Sequence, residues 1–481
     1  MEGFCYYTPY VDPNFEFLIE QINPPRVCID NDTCKDCTLI KVDSANKHGI
    51  LLEVVQILTD LDLVISKSYI CSDGGWFMDV FHVTDQFGQK ITDDFLIDYI
   101  QQAICTRRNS DKKQNLKGIE MRPQQLGMKH TALEMTVTDQ PGILSEVSAV
   151  LTELGCHVSS AVAWTHKHRG AVIFYVDEDV GRPITDQNRL SHIQEQLQIV
   201  VGAHNKNGEK QTVRLTAPAV TQTHTERRLH QLMVADEDYK TCGSCGGSVG
   251  WNPINKKANL GMTCGCTHVS IEKEKGYSVI NIRCRDRPKL LFDTVCALTD
   301  MQYTVFHAAI SCNCSIATQE YYVRRKDGCM LDTEIERQKV TQCIIAAVER
   351  RATQGLRLDI KAQDRLGLLS DVTRVFREYG LSIMRAEMRT RGEQAVGTFY
   401  VTDASGRKIS RETVDAVKEV IDGNVEVHHD KLLGKVGGQS SWLTDKSTAG
   451  EMDDRPSLLS LGSSLWSRIE QISGNFGAFR P

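Results

Sequence analysis

The sequence predicts an α+β protein of four tandem βαββαβ modules, with a long Cys- and Gly-containing linker between the second and third modules. Three observations support this prediction. A strand–turn–helix pattern returns four times with the same internal spacing, and a second strand–turn–helix pattern follows each copy. The chain of 481 residues is also too long for one hydrophobic core. Repetition of this kind is typical of an array of similar units.

The first half of the repeated unit is clearest in residues 133–155. Leu133, Met135 and Val137 alternate with polar residues, which is typical of a half-buried strand. After a turn at 139–142, the apolar residues take helical spacing up to Gly155. The same arrangement surrounds the turns Asn46-Lys47-His48-Gly49, Asp286-Arg287-Pro288-Lys289 and Asp364-Arg365-Leu366-Gly367. The spacing predicts helix ends at 62, 155, 302 and 380, the same distance beyond each turn.

The second half of the unit repeats as well. A strand contains Phe81-His82-Val83, Phe174-Tyr175-Val176, Tyr321-Tyr322-Val323 or Phe399-Tyr400-Val401, and a Gly-containing turn follows. Thr92, Thr185, Asp332 and Ser410 then stand where a side-chain oxygen can cap the next helix. With a closing strand, the order is that of the ferredoxin-like βαββαβ unit.

These repeats divide the chain into seven segments. The predicted boundaries are an extension at 1–36, modules at 37–122, 131–218, 277–355 and 356–430, a linker at 219–276, and a tail at 431–481. We expect the tail, rich in Gly, Ser and Asp, to be largely disordered. Closing strands are predicted at 118–123 and near 211–215, whereas the third module leaves no room for one of its own. Within the linker, Leu229, Leu232 and Met233 predict one apolar face of a helix.

Composition limits the classes of function. The formal net charge of −6 favours no nucleic acid partner, and no apolar run approaches the roughly 20 residues that span a bilayer. The N-terminus lacks the pattern of a signal peptide, so the 17 cysteines are expected to be reduced thiols. We therefore expect a cytoplasmic or nuclear protein without a membrane partner.

The modules resemble a known family. A βαββαβ module with a D-x-x-G-[IL]-L turn is similar to the ACT domain. The segments RCRDRPKLLFDTVCALTDMQYTVFHA and QDRLGLLSDVTRVFREYGLSIMRAEMRTRG resemble those of the plant ACR proteins, which consist of ACT repeats. The resemblance covers roughly residues 37–430. It implies a regulatory protein that binds amino acids where two modules pair, within the chain or in a homodimer, through the turn, the start of the first helix and the facing strands.

The chemistry of the turn suits such a ligand. A helix N-terminus offers unpaired N–H groups to a carboxylate, a Gly lets the ligand approach the backbone, and an acidic residue can bind its amino group. The same residues are equally suited to a purely structural turn, in which Asp caps the helix. The candidate ligand-binding residues are Asp139, Gly142, Ile143, Leu144, Asp364, Gly367, Leu368 and Leu369, with Asn46 and Gly49 as a weaker third site. Lys289 replaces the Gly of the third copy.

Other clusters suggest alternatives. Cys242, Cys245, Cys264 and Cys266 could bind Zn²⁺ through four thiolates, although a flexible linker with incidental thiols explains the same pattern. The same incidental reading applies to Cys34-x-x-Cys37 and Cys312-x-Cys314. His166 and the pair Arg350-Arg351 are expected to be solvated. No cofactor other than this Zn²⁺ is expected.

No phosphate-binding loop, HExxH, GxSxG or kinase motif is present, so the sequence predicts no enzyme. Three hypotheses follow: an amino acid sensor, a protein-interaction scaffold without a small ligand, and a zinc- or redox-responsive adaptor. Each would act on a protein partner that the sequence does not identify.

Overall fold

The computed structural model describes residues 25–45, 49–73, 76–106, 129–179, 181–204, 211–218, 223–241, 267–313, 315–351, 355–405, 407, 409–421 and 423–428. These residues form four βαββα modules, as the repeats predict. The modules combine into two halves, each built on one antiparallel sheet. The first half contains the first and third modules, and the second half contains the second and fourth.

The first half is an eight-stranded sheet with four helices. Its first module consists of β1 (Arg26–Asp30), β2 (Thr38–Ala45), α1 (Ile50–Asp60), β3 (Val64–Asp73), β4 (Trp76–Thr84) and α2 (Asp94–Thr106). Its third module consists of β10 (His268–Glu274), β11 (Tyr277–Arg285), α6 (Leu290–Asp300), β12 (Tyr303–Asn313), β13 (Ile316–Arg325) and α7 (Glu334–Arg350). The strand order is β1-β2-β4-β3-β12-β13-β11-β10.

The second half repeats this plan. Its second module consists of β5 (Thr131–Thr138), α3 (Ile143–Glu153), β6 (His157–His166), β7 (Arg169–Asp179), β8 (Arg182–Pro183), α4 (Gln187–Ala203) and β9 (Thr212–Thr216). Its fourth module consists of β14 (Leu356–Gln363), α8 (Leu368–Glu378), β15 (Leu381–Arg391), β16 (Gln394–Asp403), α9 (Arg411–Val420) and β17 (Asn424–His428). The strand order is β17-β14-β16-β15-β6-β7-β5-β9, and β8 pairs with β7.

The modules of each half meet edge to edge through the strand that follows the first helix. In the first half β3 pairs with β12, and in the second half β6 pairs with β15, both antiparallel. Each of these strands would be an unpaired edge in an isolated module, and such an edge invites aggregation. Pairing removes it and joins the cores of the two modules into one hydrophobic cluster in each half.

The first and third modules obtain their outer strand from the segment before the module. β1 pairs with β2, and β10 pairs with β11, in the position that β9 and β17 occupy in the other modules. β10 and β11 are joined at Lys275 and Gly276, which both have positive φ, as a tight hairpin turn requires. The boundaries predicted at 37 and 277 are therefore too late. The predicted closing strand at 118–123 lies outside the described residues.

Each first helix begins directly after a residue in the left-handed conformation. Gly49, Gly142 and Gly367 have φ between 81° and 93°. Lys289 keeps the conformation of these glycines with φ of 63°, so the third turn has the same shape despite its side chain. The predicted helix ends are also left-handed, at Asp62, Gly155, Gln302 and Gly380.

The linker contains the predicted amphipathic helix, α5 (Thr225–Ala235), followed by a 3₁₀ turn at Asp238–Thr241. Leu229, Leu232 and Met233 are buried against Trp164 and Tyr175, on the face of the second sheet opposite α3 and α4. α5 therefore lies between the two halves. Among the described residues, no helix has the length and apolar character that crossing a bilayer requires.

Two of the second helices begin one residue later than the sequence predicts. The capping residue is Asp186 rather than Thr185, and Thr333 rather than Asp332, whereas Ser410 caps α9 as predicted. The Thr333 side chain accepts a hydrogen bond from the Glu336 N–H at 3.2 Å. Both residues of each pair are good capping types, so composition could not distinguish them.

Replacing Thr333 with Ala should therefore destabilise the third module by about 1 kcal/mol, because the cap hydrogen bond is lost. Asp332→Ala is the matched control, since Asp332 makes only an exposed ion pair with Lys273. Loss of this exposed ion pair should change the free energy of unfolding by less than about 0.5 kcal/mol. Urea unfolding followed by circular dichroism measures both, and the opposite ranking would contradict the assigned cap.

Candidate functional site

The pairing of β6 with β15 creates two clefts in the second half. α3 of the second module lies beside α8 of the fourth. Cleft 1 is formed by the turn 139–142 and start of α3 against the end of α8 and start of β15. Cleft 2 is formed by the turn and start of α8 against the end of α3 and start of β6. The clefts are therefore equivalent positions of one repeated arrangement, and the predicted ligand-binding residues of the two copies divide between them.

Cleft 1 is the larger of the two. It spans about 600 Å³ of space that includes open solvent, whereas cleft 2 spans about 260 Å³ by the same measure. Asp139, Gly142, Ile143 and Leu144, which the sequence predicts to bind a ligand, line cleft 1. Its inner wall is apolar and consists of Met135, Val137, Val147, Ala163, Val172 and Ile383. An apolar wall with few polar groups is typical of small-molecule sites.

The glycines of the second and fourth turns pack closely against the partner module. A Cβ on Gly142 would lie 2.8 Å from Cδ of Arg377 in α8. A Cβ on Gly367 would lie 3.0 Å from Cγ2 of Thr152 in α3. Together with their positive φ, these contacts give both glycines a packing role between modules. That role exists independently of any ligand.

Asp139 is a residue of cleft 1 with a strongly raised pKa. Its backbone N–H donates to the His168 carbonyl at 2.7 Å, which fixes the residue at the end of β5. Burial raises the pKa of the Asp139 carboxyl to about 6, and the charge of His168 only partly opposes this shift. A carboxylate at this position would gain from a cationic partner, since an opposite charge favours the ionised form.

Cleft 2 differs from cleft 1 in the surroundings of its acidic residue, Asp364. The Asp364 carboxylate faces Nε2 of His157 across the module interface, at 3.1 Å, and both side chains are nearly buried. Ser382 occupies the position of His157 beside cleft 1, and Arg377 occupies the position of Thr152. Cleft 1 is therefore lined by both an acid and an arginine, whereas in cleft 2 the acid is already bound by the chain itself. Gly367, Leu368 and Leu369 line cleft 2.

Around the described residues, the turns of the first half have different surroundings. Asn46 lies outside those residues, and a Cβ on Gly49 would meet no atom within 4 Å. In the third turn, Lys289 donates to Glu226 of α5 at 2.8 Å. Arg287 donates to Asp293 at 2.7 Å and to the Val348 carbonyl at 2.6 Å. Side chains of this chain therefore fill the third turn.

These contacts belong to a buried ionic network between the two halves. The Arg351 guanidinium donates hydrogen bonds to the carboxylate of Asp293 and to that of Glu226, at 2.7 to 3.1 Å. Arg350 donates to Asp238 at 2.7 and 2.6 Å, and His166 also contacts Asp238. Burial would raise the pKa of Asp293, but Arg351 and Arg287 beside it hold that pKa well below its usual range.

Two sequence predictions are wrong at this network. Arg350 and Arg351 were expected to be solvated, yet they are 0% and 3% exposed. His166 was also expected in a solvated turn, and its side chain is buried against Asp238. The acids that bind them lie in other elements, so no local spacing indicated the contacts. The predicted zinc ligands Cys242, Cys245, Cys264 and Cys266 lie outside the described residues.

The raised pKa of Asp139 predicts a pH-dependent stability. The folded carboxyl titrates near pH 6 and the unfolded one near 3.8, so folding favours the protonated form. This contribution is complete below about pH 4 and is lost as the pH rises through 6. Asp139→Asn keeps a neutral side chain, so it should gain stability relative to wild type between pH 4 and 7, by on the order of 2 kcal/mol. Urea unfolding across this range measures the gain, and a constant difference would contradict the shifted pKa.

The network predicts a large effect at Asp293. Asp293→Asn leaves the Arg351 and Arg287 guanidiniums buried without their shared carboxylate, which should destabilise the chain by about 3 to 5 kcal/mol. Asp300→Asn in the same helix is the control, because Asp300 pairs with Arg227 where both side chains are 21–30% exposed. It should cost less than about 1 kcal/mol. Thermal unfolding compares the two, and similar shifts would contradict the importance of the buried network.

Comparisons with known proteins agree with the repeated fold. The model of the ACR family N-terminal ACT domain matches residues 33–111, and the ACT domain model matches residues 131–202 and 357–422. The matched ranges include parts of the first, second and fourth modules. A solved structure of a putative glycine cleavage system transcriptional repressor is 10% identical, with a TM-score of 0.15, over 62% of this chain and 95% of its own. A score that low carries no argument.

Full-length relatives are far more similar. ACT domain-containing protein ACR1 of Arabidopsis thaliana is 48% identical over 97% of this chain and 98% of its own length. ACT domain-containing protein ACR3 of the same plant is 50% identical over 86% and 88%. The alignment with the first of these relatives covers nearly the whole chain. The chain therefore belongs to the ACR family of ACT domain-containing proteins.

Proposed function

We propose that this chain is a non-catalytic regulatory protein that senses a free amino acid in cleft 1. The observation that carries the proposal is the juxtaposition of Asp139, the first turn of α3 and Arg377 around one apolar cleft between two modules. ACT domains often bind amino acids in regulation, and membership of this family supports the proposal.

The three polar groups match the two charges of an amino acid. The helix N-terminus at Ile143 and Leu144 and the Arg377 guanidinium favour a carboxylate. The Asp139 carboxylate favours an ammonium group, whose binding would supply the missing cationic partner. The side chain of the ligand would then contact the apolar wall. This assignment predicts that ligand binding lowers the pKa of Asp139.

Sensing requires that the ligand favour one arrangement of the modules over another. A ligand in cleft 1 would contact the second module through Asp139 and the fourth through Arg377, so it would stabilise their pairing. We infer that this stabilisation is read by a protein partner. Cleft 2 is the weaker candidate, since Asp364 is bound by His157.

Thermal unfolding of the intact chain with each of the twenty amino acids tests the proposal. A ligand at 100 times its dissociation constant should add about 2.7 kcal/mol to the stability of the binding state. The shift should occur with one or a few amino acids. It should be lost in Asp139→Asn and Arg377→Ala.

Arg374→Ala is the matched control for Arg377→Ala. Arg374 lies one turn earlier in α8, is exposed, and pairs with Asp371 on the same helix. This variant should retain the ligand-induced shift. Absence of a shift with every amino acid at millimolar concentration would contradict sensing. It would favour a protein-interaction scaffold in which the turns serve only to pack modules together.

A further inference from the structure

Three metal-binding side chains converge at the edge of the first sheet. Cys34 and Cys37 lie in the loop between β1 and β2, and His82 lies in β4. The Cys37 Sγ lies 3.1 Å from the Cys34 Sγ and 3.4 Å from Nδ1 of His82. All three ligand atoms lie within 4.8 Å of one another, in the one such group of at least three His, Cys, Asp or Glu among the described residues. The sequence alone gave the cysteines no third partner, because His82 is distant along the chain.

The loop that carries the two cysteines is held in place by its own hydrogen bonds. The Asp30 carboxylate accepts from the N–H groups of Asp32 and Thr33, both at 2.9 Å. The Asn31 amide donates to the Ile91 carbonyl at 2.9 Å, which fixes the loop to the segment before α2. Cys37 is buried, whereas Cys34 is partly exposed. The loop therefore presents the thiols from a prearranged backbone, as a metal site requires.

The Cys37–His82 distance fits a tetrahedral d¹⁰ ion, whereas the two sulfurs lie closer together than such an ion requires. With Zn–S near 2.3 Å and Zn–N near 2.0 Å, tetrahedral geometry places sulfur and nitrogen about 3.5 Å apart and two sulfurs about 3.8 Å apart. The Cys37–His82 separation already agrees. The two sulfurs must separate by about 0.7 Å, which the partly exposed Cys34 side chain can accommodate by a small rotation. Two thiolates and an imidazole are soft and borderline ligands, so they favour Zn²⁺ over Mg²⁺ or Ca²⁺.

We propose that Cys34, Cys37 and His82 bind a Zn²⁺ ion, with a fourth position open to water or to a small anion. On binding, each thiol releases its proton to solvent and coordinates as a thiolate, and His82 coordinates through Nδ1 of the neutral ring. The proposed site uses none of the four linker cysteines and does not depend on ligand binding in cleft 1.

The ion would join the β1–β2 loop to β4, across the strand β2. β1 occupies the position of a closing strand and, as the outermost strand of the sheet, pairs with β2 on one side. A metal bond from its loop to β4 would therefore hold this edge in place. We expect Zn²⁺ to slow hydrogen exchange in β1 and to leave the strands of the second half unchanged.

The experiment uses the intact, metal-depleted chain under reducing conditions. Co²⁺ is added as a spectroscopic probe, and Zn²⁺ affinity is then measured by competition with a chromogenic chelator. To exclude the linker, the protein carries Ser at Cys242, Cys245, Cys264 and Cys266. We expect one equivalent of Co²⁺ to give thiolate-to-metal charge transfer and the intense visible bands of a tetrahedral site, both abolished by one equivalent of Zn²⁺.

Cys34→Ser and His82→Gln should each weaken Zn²⁺ binding at least tenfold and remove or alter the cobalt bands. Cys28→Ser and Cys105→Ser are the matched controls, since these exposed thiols lie in β1 and α2 of the same module. They should leave affinity and spectrum unchanged. Thermal unfolding without metal confirms that each variant folds. Absence of the thiolate–cobalt band, or a band insensitive to both Cys34→Ser and His82→Gln, would overturn the proposal.

Discussion

The antiparallel pairing of β6 with β15, repeated by β3 with β12, is the constraint on which the rest of the structure depends. Because equivalent strands pair antiparallel, the two modules of a half run in opposite directions along their shared edge. The start of each first helix therefore lies beside the end of its partner. A left-handed residue before the helix then faces a side chain of the other module, as Gly142 faces Arg377 and Gly367 faces Thr152. The clefts are consequences of this pairing, and an isolated module would contain only one wall of each.

Equivalent backbone positions have diverged into different chemistry. Around cleft 2, His157 binds Asp364, so the acid contributes to packing between modules. Around cleft 1, Ser382 stands at the position of His157, and burial raises the pKa of Asp139. In the third module the equivalent turn is occupied by Lys289 and Arg287, which bind acids of this chain. The same fold thus contains an acid paired with a histidine at Asp364, a buried acid with little opposing charge at Asp139, and a third turn occupied by Lys289. The chemistry of the side chains that face each turn, rather than its shape, distinguishes them.

The sequence predicted the features that depend on neighbouring residues and missed the contacts between residues far apart along the chain. The fourfold repeat, the helix ends and the apolar face of α5 follow from spacing, because each depends on residues a few positions apart. The origin of the outer strands in the first half did not follow, since β1 and β10 precede the modules that they complete. The burial of Arg350 and Arg351 could not be predicted either. Charged residues are usually solvated, and the acids that bind this pair, Asp238, Glu226 and Asp293, lie in other elements far along the chain. For the same reason, the sequence identified Asp139 as a candidate but not Arg377 opposite it.

One strand connects the proposed ligand site to the rest of the molecule. β6 presents Ala163 and Thr165 to cleft 1, and on its other face Trp164 and His166 contact the ionic network. The Arg351 guanidinium lies 4.8 Å from the Trp164 ring centroid, and His166 binds Asp238. A displacement of β6 by a ligand would therefore change contacts to the first half directly, without an intervening layer. Since a buried ion pair tolerates little change in geometry, the network would resist small movements of β6.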